Sequence, residues 1–461
     1  MRNTILSPQK FPASATISNI ASDKSLSHRA VIFAFLSDGV SKISNFLFGE
    51  DTLNTLKIAM QLGMQVCVNG VRAKNIAQIL RSVEGLENPQ MAAISLQRDK
   101  NGILEPNEIL DCGNAGTAIR LYLGLLASQK GRFFVLTGDK YLRARPMKRV
   151  IAPLENIGAK IYARAQNLAP ICVLGQGISH FCYHSEISSA QVKSAMILAG
   201  LNAESSKKSE FSEVALSRDH SERMLRGMGA DLEIKGGKIL IAPLKSPLNA
   251  LDLRIPSDPS SAFYFAVLAL ILDIEITIKN MLLNKTRVFA FEILREMGAS
   301  VEFEIKERAF EDIGDVKIAK NGALKAIELS ENIAWLIDEI PALGIAFAFA
   351  GGKSVVKNAS ELRTKESDRI KATISNLSKF GVECEEFEDG FSVKGGFAPP
   401  NKKVVIDSYG DHRIAMSFAI LGALCEVEVL DSACIDVSFP NFLEIIAQFM
   451  QVKNIKSEYA N

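Results

Sequence analysis

The chain reads as an α/β (α+β) protein of two domains, each assembled from three copies of one small unit. Length is the first reason: 461 residues exceed what a single core organises, and domains of about 200 residues are the usual outcome. Composition is the second, with 48% apolar and 23% charged residues, the balance of a globular chain rich in core material. The third is a repeat in which an apolar-periodic helix meets a glycine and then a short alternating strand.

That repeat runs along the whole chain. It occurs as AMQLGMQVCV at Gly63, LENIGAKIYA at Gly158, LRGMGADLEI at Gly229, LREMGASVEF at Gly298 and LSKFGVECEE at Gly381. A sixth copy, AQFMQVKNI, carries Met450 at the glycine position. A glycine after a helix adopts positive φ without steric cost and turns the chain into the next strand. The spacings far exceed those of solenoid repeats and leave room for two helices and several strands per unit. A helix, a glycine and a strand in succession are common in α/β proteins, but five copies with the same apolar flanks point to repetition. Three units per domain place the midpoint near PLNALDLRIPSDPSS, where a Pro-rich stretch precedes a new helix at Ser257 or Asp258.

Charge narrows the function. Fifty-three basic and 52 acidic residues leave a net charge of +1, which excludes a broad nucleic-acid or membrane-surface binder and makes any anion site local. The seven cysteines are scattered without a CxxC pair, as expected of reduced thiols in a cytoplasmic protein, and a zinc site finds no support. The five histidines lack HxxxH or HExxH spacing, so no metal is expected. The N-terminal MRNTILSPQKFPASATI has no apolar core of signal-peptide type. The longest apolar run, AFYFAVLALIL, stops at Asp273, short of the ~20 residues that span a bilayer, and reads as a buried helix.

Polar clusters recur where apolar helices begin. DKSLSHR (Asp23 to Arg29) precedes AVIFAFLSDG, read as a buried helix running to Gly39. DCGNAGTAIR, ISSAQ, SDPSS, RTKESDR and GDHR lead the later helices. Ordinary capping explains the Ser, Asp and Asn residues. It does not explain Lys24, Arg29, Arg120, Lys365, Arg369 and Arg413, because a cation there opposes the helix dipole by about 0.3–1 kcal/mol. A bound anion removes the conflict, and Gly113 and Gly116 allow backbone to approach it. A nucleic-acid backbone, a nucleotide phosphate and a small acidic metabolite all suit such a site. GNAGT lacks the spacing and lysine of a P-loop, so ATP binding is unsupported.

KYLRARPMKR (Lys140 to Arg149) has five basic residues in ten, a run that is solvated by default, and Arg145 before Pro146 is the one assigned to a site. Asp338 and Glu339 stand in the apolar WLIDEIPALG, where a solvated turn before Pro341 is an equal explanation. Glu366 lies among cations that keep it ionised, and with Lys24 and Asp338 it forms the set of candidate proton carriers.

Together DKSLSHR, GNAGTAIR, RPM, SSAQVKSA, SRDH, DPSSA, IDE, RTKESDR, DHRIAMSF and SFP, in that order, resemble the 5-enolpyruvylshikimate-3-phosphate synthase family from Asp23 to about Pro440. SAQVKSA, SRDH and ELRTKESDR are similar to the branch that contains glyphosate-tolerant enzymes. The resemblance implies two domains of three βαβαββ units each, an inside-out α/β barrel, with residues 1–22 and 257–461 in one domain and 23–256 in the other. The substrates would bind in the cleft between them. The implied reaction joins phosphoenolpyruvate to the 5-hydroxyl of shikimate 3-phosphate and releases phosphate, without metal or organic cofactor.

Carried over by position, Lys24, Gly116, Arg145, Gln191, Arg369 and Arg413 match the phosphoenolpyruvate site. Lys24, Ser25, Arg29, Ser189, Gln191, Ser217, Arg218, Asp338 and Lys365 match the shikimate 3-phosphate site. Lys24, Asp338 and Glu366 are the implied catalytic residues. The family's paired serines fall on Ser189 and Ala190, which leaves Ser188 outside the set. A lysine frequent two residues before the C-terminal Phe-Pro is Val437 here, and Leu121 replaces a frequent proline after Arg120. Gly116 is the small residue usual in glyphosate-sensitive members, so glyphosate is expected to compete with phosphoenolpyruvate. A cytoplasmic monomer is expected. The alternative is a UDP-N-acetylglucosamine enolpyruvyl transferase, a family that uses a loop cysteine; Lys140 to Arg149 contains none. A non-catalytic anion-binding scaffold would explain the arginines but leave Lys24, Asp338 and Glu366 without a role.

Overall fold

The structure, a computed structural model, describes residues 2–86 and 92–456. The chain divides into two compact units, Met1–Ala21 with Pro256–Asn461, and Ser22–Ile255.

All five glycines of the repeat have positive φ: Gly63 at 97°, Gly158 at 101°, Gly229 at 97°, Gly298 at 106° and Gly381 at 83°. Each closes a helix and releases the chain into a strand. In the sixth copy Met450 is instead the first residue of the strand Met450–Lys456.

Every repeat forms its own sheet by one rule. In the Ser22–Ile255 unit, strand Cys182–Ser185 runs parallel to Ser209–Glu213. The latter pairs antiparallel with Lys238–Ile241, whose other edge takes Leu232–Lys235. One helix, Ala190–Leu201, links the first two strands, and a second, His220–Gly227, precedes the glycine. This is the βαβαββ unit. Leu110–Asp111, Phe133–Thr137, Leu168–Leu174 and Lys160–Arg164 repeat the order. The remaining sheet of this unit takes its first strand, Asp252–Arg254, from the far end of the segment and pairs it parallel to Ser41–Ser44. It also carries an insertion that periodicity did not reveal, strand Val71–Ala73 followed by helix Ile76–Val83.

The other unit is completed by the N-terminus. Ser14–Ile17 pairs parallel to Glu275–Leu282, and Arg2–Pro8 lies between Val427–Leu430 and Met450–Lys456. Two repeats that would lack a strand are thus filled from the start of the chain.

Among the described residues an inner helix leads into the second strand of each sheet; four of these six helices also link it to the first strand, whereas Lys24–Phe33 and Pro259–Leu272 follow a strand of the other unit. Pro259–Leu272, Ile340–Ala348 and His412–Ala419 are buried along their whole lengths. At ~1.5–3 kcal/mol for each large apolar side chain withdrawn from water, such helices dominate the hydrophobic stabilisation. Asp258 caps Pro259–Leu272, and Asp273 ends it in a left-handed conformation. In the Ser22–Ile255 unit the inner helices are Lys24–Phe33, Gly116–Ala127 and Ala190–Leu201. The first is shorter than expected: the α-helix ends at Phe33 and a 3-10 turn, Ala34–Leu36, precedes Ser37 and positive-φ Gly39. Gly124 is needed for contact between the other two, because a Cβ there would lie 2.3 Å from the Ala195 carbonyl oxygen.

Candidate active site

Five of the polar clusters open inner helices, and the IDE segment opens the sixth. RTKESDR instead opens a second-type helix, Arg369–Lys379. Asp23 Oδ1 accepts from the Leu26 amide at 2.7 Å, Asp258 Oδ1 from Ser260 at 2.8 Å, and Asp411 Oδ1 from Arg413 at 2.8 Å. The caps are therefore real, and the cations sit beside them.

In the Ser22–Ile255 unit, Gly116–Ala127 begins without a side-chain cap. Around its start the guanidinium of Arg145 lies so close that a Cβ on Gly116 would be 3.0 Å from its Nη1 and 2.9 Å from Arg120 Nη1. Arg120 donates to Gln191 Oε1 at 2.5 Å, and Gln191 Nε2 donates to Thr117 Oγ1 at 3.0 Å. Gly116, Arg145 and Gln191 are thereby brought together, with Arg120 as a fourth member. Lys24 forms an ion pair with Asp51 at 2.9 Å. Asp51 is buried and its Oδ1 has no hydrogen-bond partner, so the pair depends on Lys24 for charge balance. Sequence inspection missed Asp51, which stands 27 positions from Lys24 with no local pattern joining them.

Arg29 is buried and spans this unit's first and third repeats, donating from Nε to Ser221 Oγ at 2.8 Å and from Nη2 to Ser194 Oγ at 3.1 Å. Its Nη1 donates to the carbonyl of half-buried Ser25 at 3.1 Å. His28 faces Thr55 instead, 2.7 Å from its hydroxyl. Burial, then the charges of Lys24 and Arg29, push the imidazole well below its ordinary range and keep it neutral. Ser189 caps Ala190–Leu201 by accepting from Val192 N at 3.5 Å, so its proton stays available to an anion. Ser217 differs, since its hydroxyl and amide both donate to Glu213 Oε1 at 2.8 Å. Half-buried Arg218 follows it.

In the other unit Arg369 gathers three carboxylates: Asp411 on Nε at 2.9 Å, Glu366 on Nη2 at 2.7 Å and Asp338 on Nη1 at 3.1 Å. Burial opposes the guanidinium charge, and Asp411, Glu366 and Asp338 outweigh it, raising its pKa. Asp411 joins both assigned arginines, holding Arg369 by its side chain and Arg413 by its backbone amide. Arg413 is different. It is 5% exposed, Nη1 donates to the Tyr264 hydroxyl at 3.5 Å, and among the described residues Nε has no partner. Tyr264 is itself buried, and desolvation pushes its phenol up to about 12. Lys365 is held by Glu361 at 2.6 Å. Among the described residues no group of three or more His, Cys, Asp or Glu could hold a metal ion, and no helix is long and apolar enough to cross a membrane.

One buried group escaped the sequence reading altogether. Lys193 pairs with Glu213 and Glu222, both at 2.9 Å. The signal was present, a lysine inside the apolar run VKSAMILAGL.

Comparison with known proteins gives the family and the fold. The family model described as EPSP synthase (3-phosphoshikimate 1-carboxyvinyltransferase) matches residues 9–446. A Campylobacter hominis protein named 3-phosphoshikimate 1-carboxyvinyltransferase is 52% identical over 95% of this chain and 97% of its own. One of the same name from Wolinella succinogenes is 51% identical over 98% of both chains. The solved structure of EPSP synthase from Acinetobacter baumannii superimposes with a TM-score of 0.81 at 32% identity, covering 99% of this chain and 100% of that one. A family model spanning nearly all of the chain, and relatives half identical along their length, show that it belongs to the EPSP synthase (3-phosphoshikimate 1-carboxyvinyltransferase) family.

Proposed function

We propose that the chain transfers the enolpyruvyl group of phosphoenolpyruvate to the 5-hydroxyl of shikimate 3-phosphate and releases phosphate, the step of the shikimate pathway that leads to chorismate. The family match over residues 9–446 carries this reading. The site chemistry supports it, because a buried arginine with no direct ion pair among the described residues and an arginine–glycine cluster at an uncapped helix start suit small, highly charged anions.

Arg413 and Arg369 take the donor's carboxylate, while Lys24, Arg145, Gln191 and the backbone at Gly116 take its phosphate. Ser25 and Arg29 bind the acceptor's carboxylate. Ser189, Ser217, Arg218 and Lys365 lie at its phosphate and Asp338 at its hydroxyls. Since the Ser217 proton is engaged by Glu213, Arg218 carries the larger share of phosphate recognition.

The reaction is an addition followed by an elimination. A general acid protonates the methylene carbon of phosphoenolpyruvate as the acceptor oxygen bonds to the adjacent carbon and loses its proton to a base. The resulting methyl group then gives up one proton as the C–O bond to phosphate breaks. Lys24, poised on Asp51, and the carboxylates Glu366 and Asp338, poised on Arg369, are the groups that move these protons. The cations stabilise charge as it develops. Glyphosate competes with phosphoenolpyruvate at the site beside Gly116, and the enzyme acts as a cytoplasmic monomer.

The methyl intermediate offers a direct test. Product formed in deuterated water should carry deuterium in its vinyl group, since any of three hydrogens can leave. Product without deuterium refutes the addition step, and no product refutes the assigned reaction.

A further inference from the structure

The Lys193 triad occupies a place where a neutral core would cost less. Lys193 Nζ has no solvent exposure and three donors, and it meets three acceptors: Glu213 Oε1 at 2.9 Å, Glu222 Oε1 at 2.9 Å and the Ser217 carbonyl at 3.1 Å. Glu213 ends the strand Ser209–Glu213, and Glu222 lies in the first turn of His220–Gly227. Between them runs a six-residue connection with Ser217 near its middle. Apolar burial does little to anchor that connection, because Val214 is 59% and Leu216 54% exposed, and outside Ser217 the Ala215 amide donates to Ser188 Oγ at 3.1 Å. Ser217 is nevertheless held at every polar atom, amide and hydroxyl on Glu213 and carbonyl on Lys193. Burying three charged groups is a poor way to gain stability. Fixing the backbone of the connection at Ser217, next to Arg218, is what this network does.

We propose that Lys193, acting through Glu213 and Glu222, is a positioning residue that holds Ser217, and with it the backbone of Arg218, in register for the phosphate group of the acceptor. This rests on the assignment of Arg218 to that phosphate. Burial raises the Glu222 carboxyl pKa against the pull of Lys193, in keeping with a network under electrostatic constraint.

The test compares steady-state kinetics of the full-length enzyme and three variants, varying shikimate 3-phosphate and phosphoenolpyruvate separately. Arg218→Ala tests the underlying assignment and should raise the acceptor KM. Lys193→Met combined with Glu222→Gln removes one charge of each sign, so that the net charge of the cluster is unchanged, although Glu213 loses its cation. Its acceptor KM should rise by about tenfold or more, as expected when a binding group is misplaced, with the donor KM unchanged. Glu213→Gln, milder because it keeps the shape, should show the same one-sided change and serves if the double variant does not fold. If Arg218→Ala raises the acceptor KM but the folded triad variants leave it unchanged, the positioning role is refuted. Equal rises in both KM values would also refute it, by showing a general structural defect. An acceptor KM unaffected by Arg218→Ala would overturn the site assignment and the inference with it.

Discussion

Arg369 and Arg413 are assigned to one carboxylate, yet their surroundings predict unequal responses to removal. Arg369 has Asp411, Glu366 and Asp338 within 3.1 Å. Replacing it by methionine takes the paired cation from Asp411, which has no solvent exposure, and from two partly buried carboxylates. Breaking such a network from one side costs about 3–5 kcal/mol. Arg413, among the described residues, has no carboxylate within ion-pair distance and keeps a buried Nε without a partner. The acidic groups that act on it from farther away have other partners: Asp338 has Arg369, Asp258 has Arg287, and Glu339 has Ser260. Arg413→Met therefore breaks no direct ion pair and removes only the longer-range attraction of those groups, which offsets the burial of the cation. Its unliganded stability should fall by about 1 kcal/mol, less than that of Arg369→Met. Urea unfolding without ligand measures this directly. Repeating it with saturating phosphoenolpyruvate alone should stabilise the parent by RT ln(1 + [L]/Kd) and leave Arg413→Met unchanged or nearly so, whereas shikimate 3-phosphate alone should stabilise both. A loss from Arg413→Met as large as that from Arg369→Met would show that Arg413 is a structural cation, refuting its assignment to the donor.

Three further outcomes follow from the geometry. Gly116→Ala should leave stability within ~1 kcal/mol of the parent while raising the phosphoenolpyruvate KM and weakening glyphosate inhibition, because its Cβ displaces the flexible ends of Arg120 and Arg145. An unchanged KM would remove those arginines from the donor site. Lys24→Met should lose most activity and about 3 kcal/mol of stability, with Asp51→Asn in the double variant recovering stability but not turnover. Recovery of both would exclude Lys24 from catalysis. Tyr264 titrates at about 12, above its unfolded value near 10, so its stabilising contribution is complete below pH 10 and disappears as pH rises through 12. Tyrosinate absorbance should therefore show a late component that Tyr264→Phe removes, and an identical titration in that variant would refute the assignment.

The repeat was legible because a glycine after a helix does a job that few residues do, and all five adopt positive φ. The clusters at helix starts were legible for a similar reason: capping groups are local in sequence, and a cation beside a cap is an anomaly visible without coordinates. What escaped detection depends on contacts distant along the chain. Asp51 meets Lys24 across a helix–helix contact, and Asp411 reaches Arg369 across 42 positions. Neither spacing has a periodic signature. Tyr264 looked like one more aromatic in an apolar run, and only its contact with Arg413 distinguishes it. The insertion Val71–Ala73 with Ile76–Val83 was hidden because it interrupts a repeat without changing its glycine. Lys193 alone left a usable signal, a charge inside a buried helix.

Phosphate release from phosphoenolpyruvate, measured in the presence of a chelator with either shikimate 3-phosphate or UDP-N-acetylglucosamine, tests the central claim most directly. Release with shikimate 3-phosphate and not with the sugar nucleotide is the predicted result. Release with the sugar nucleotide alone, or with neither acceptor, would contradict it.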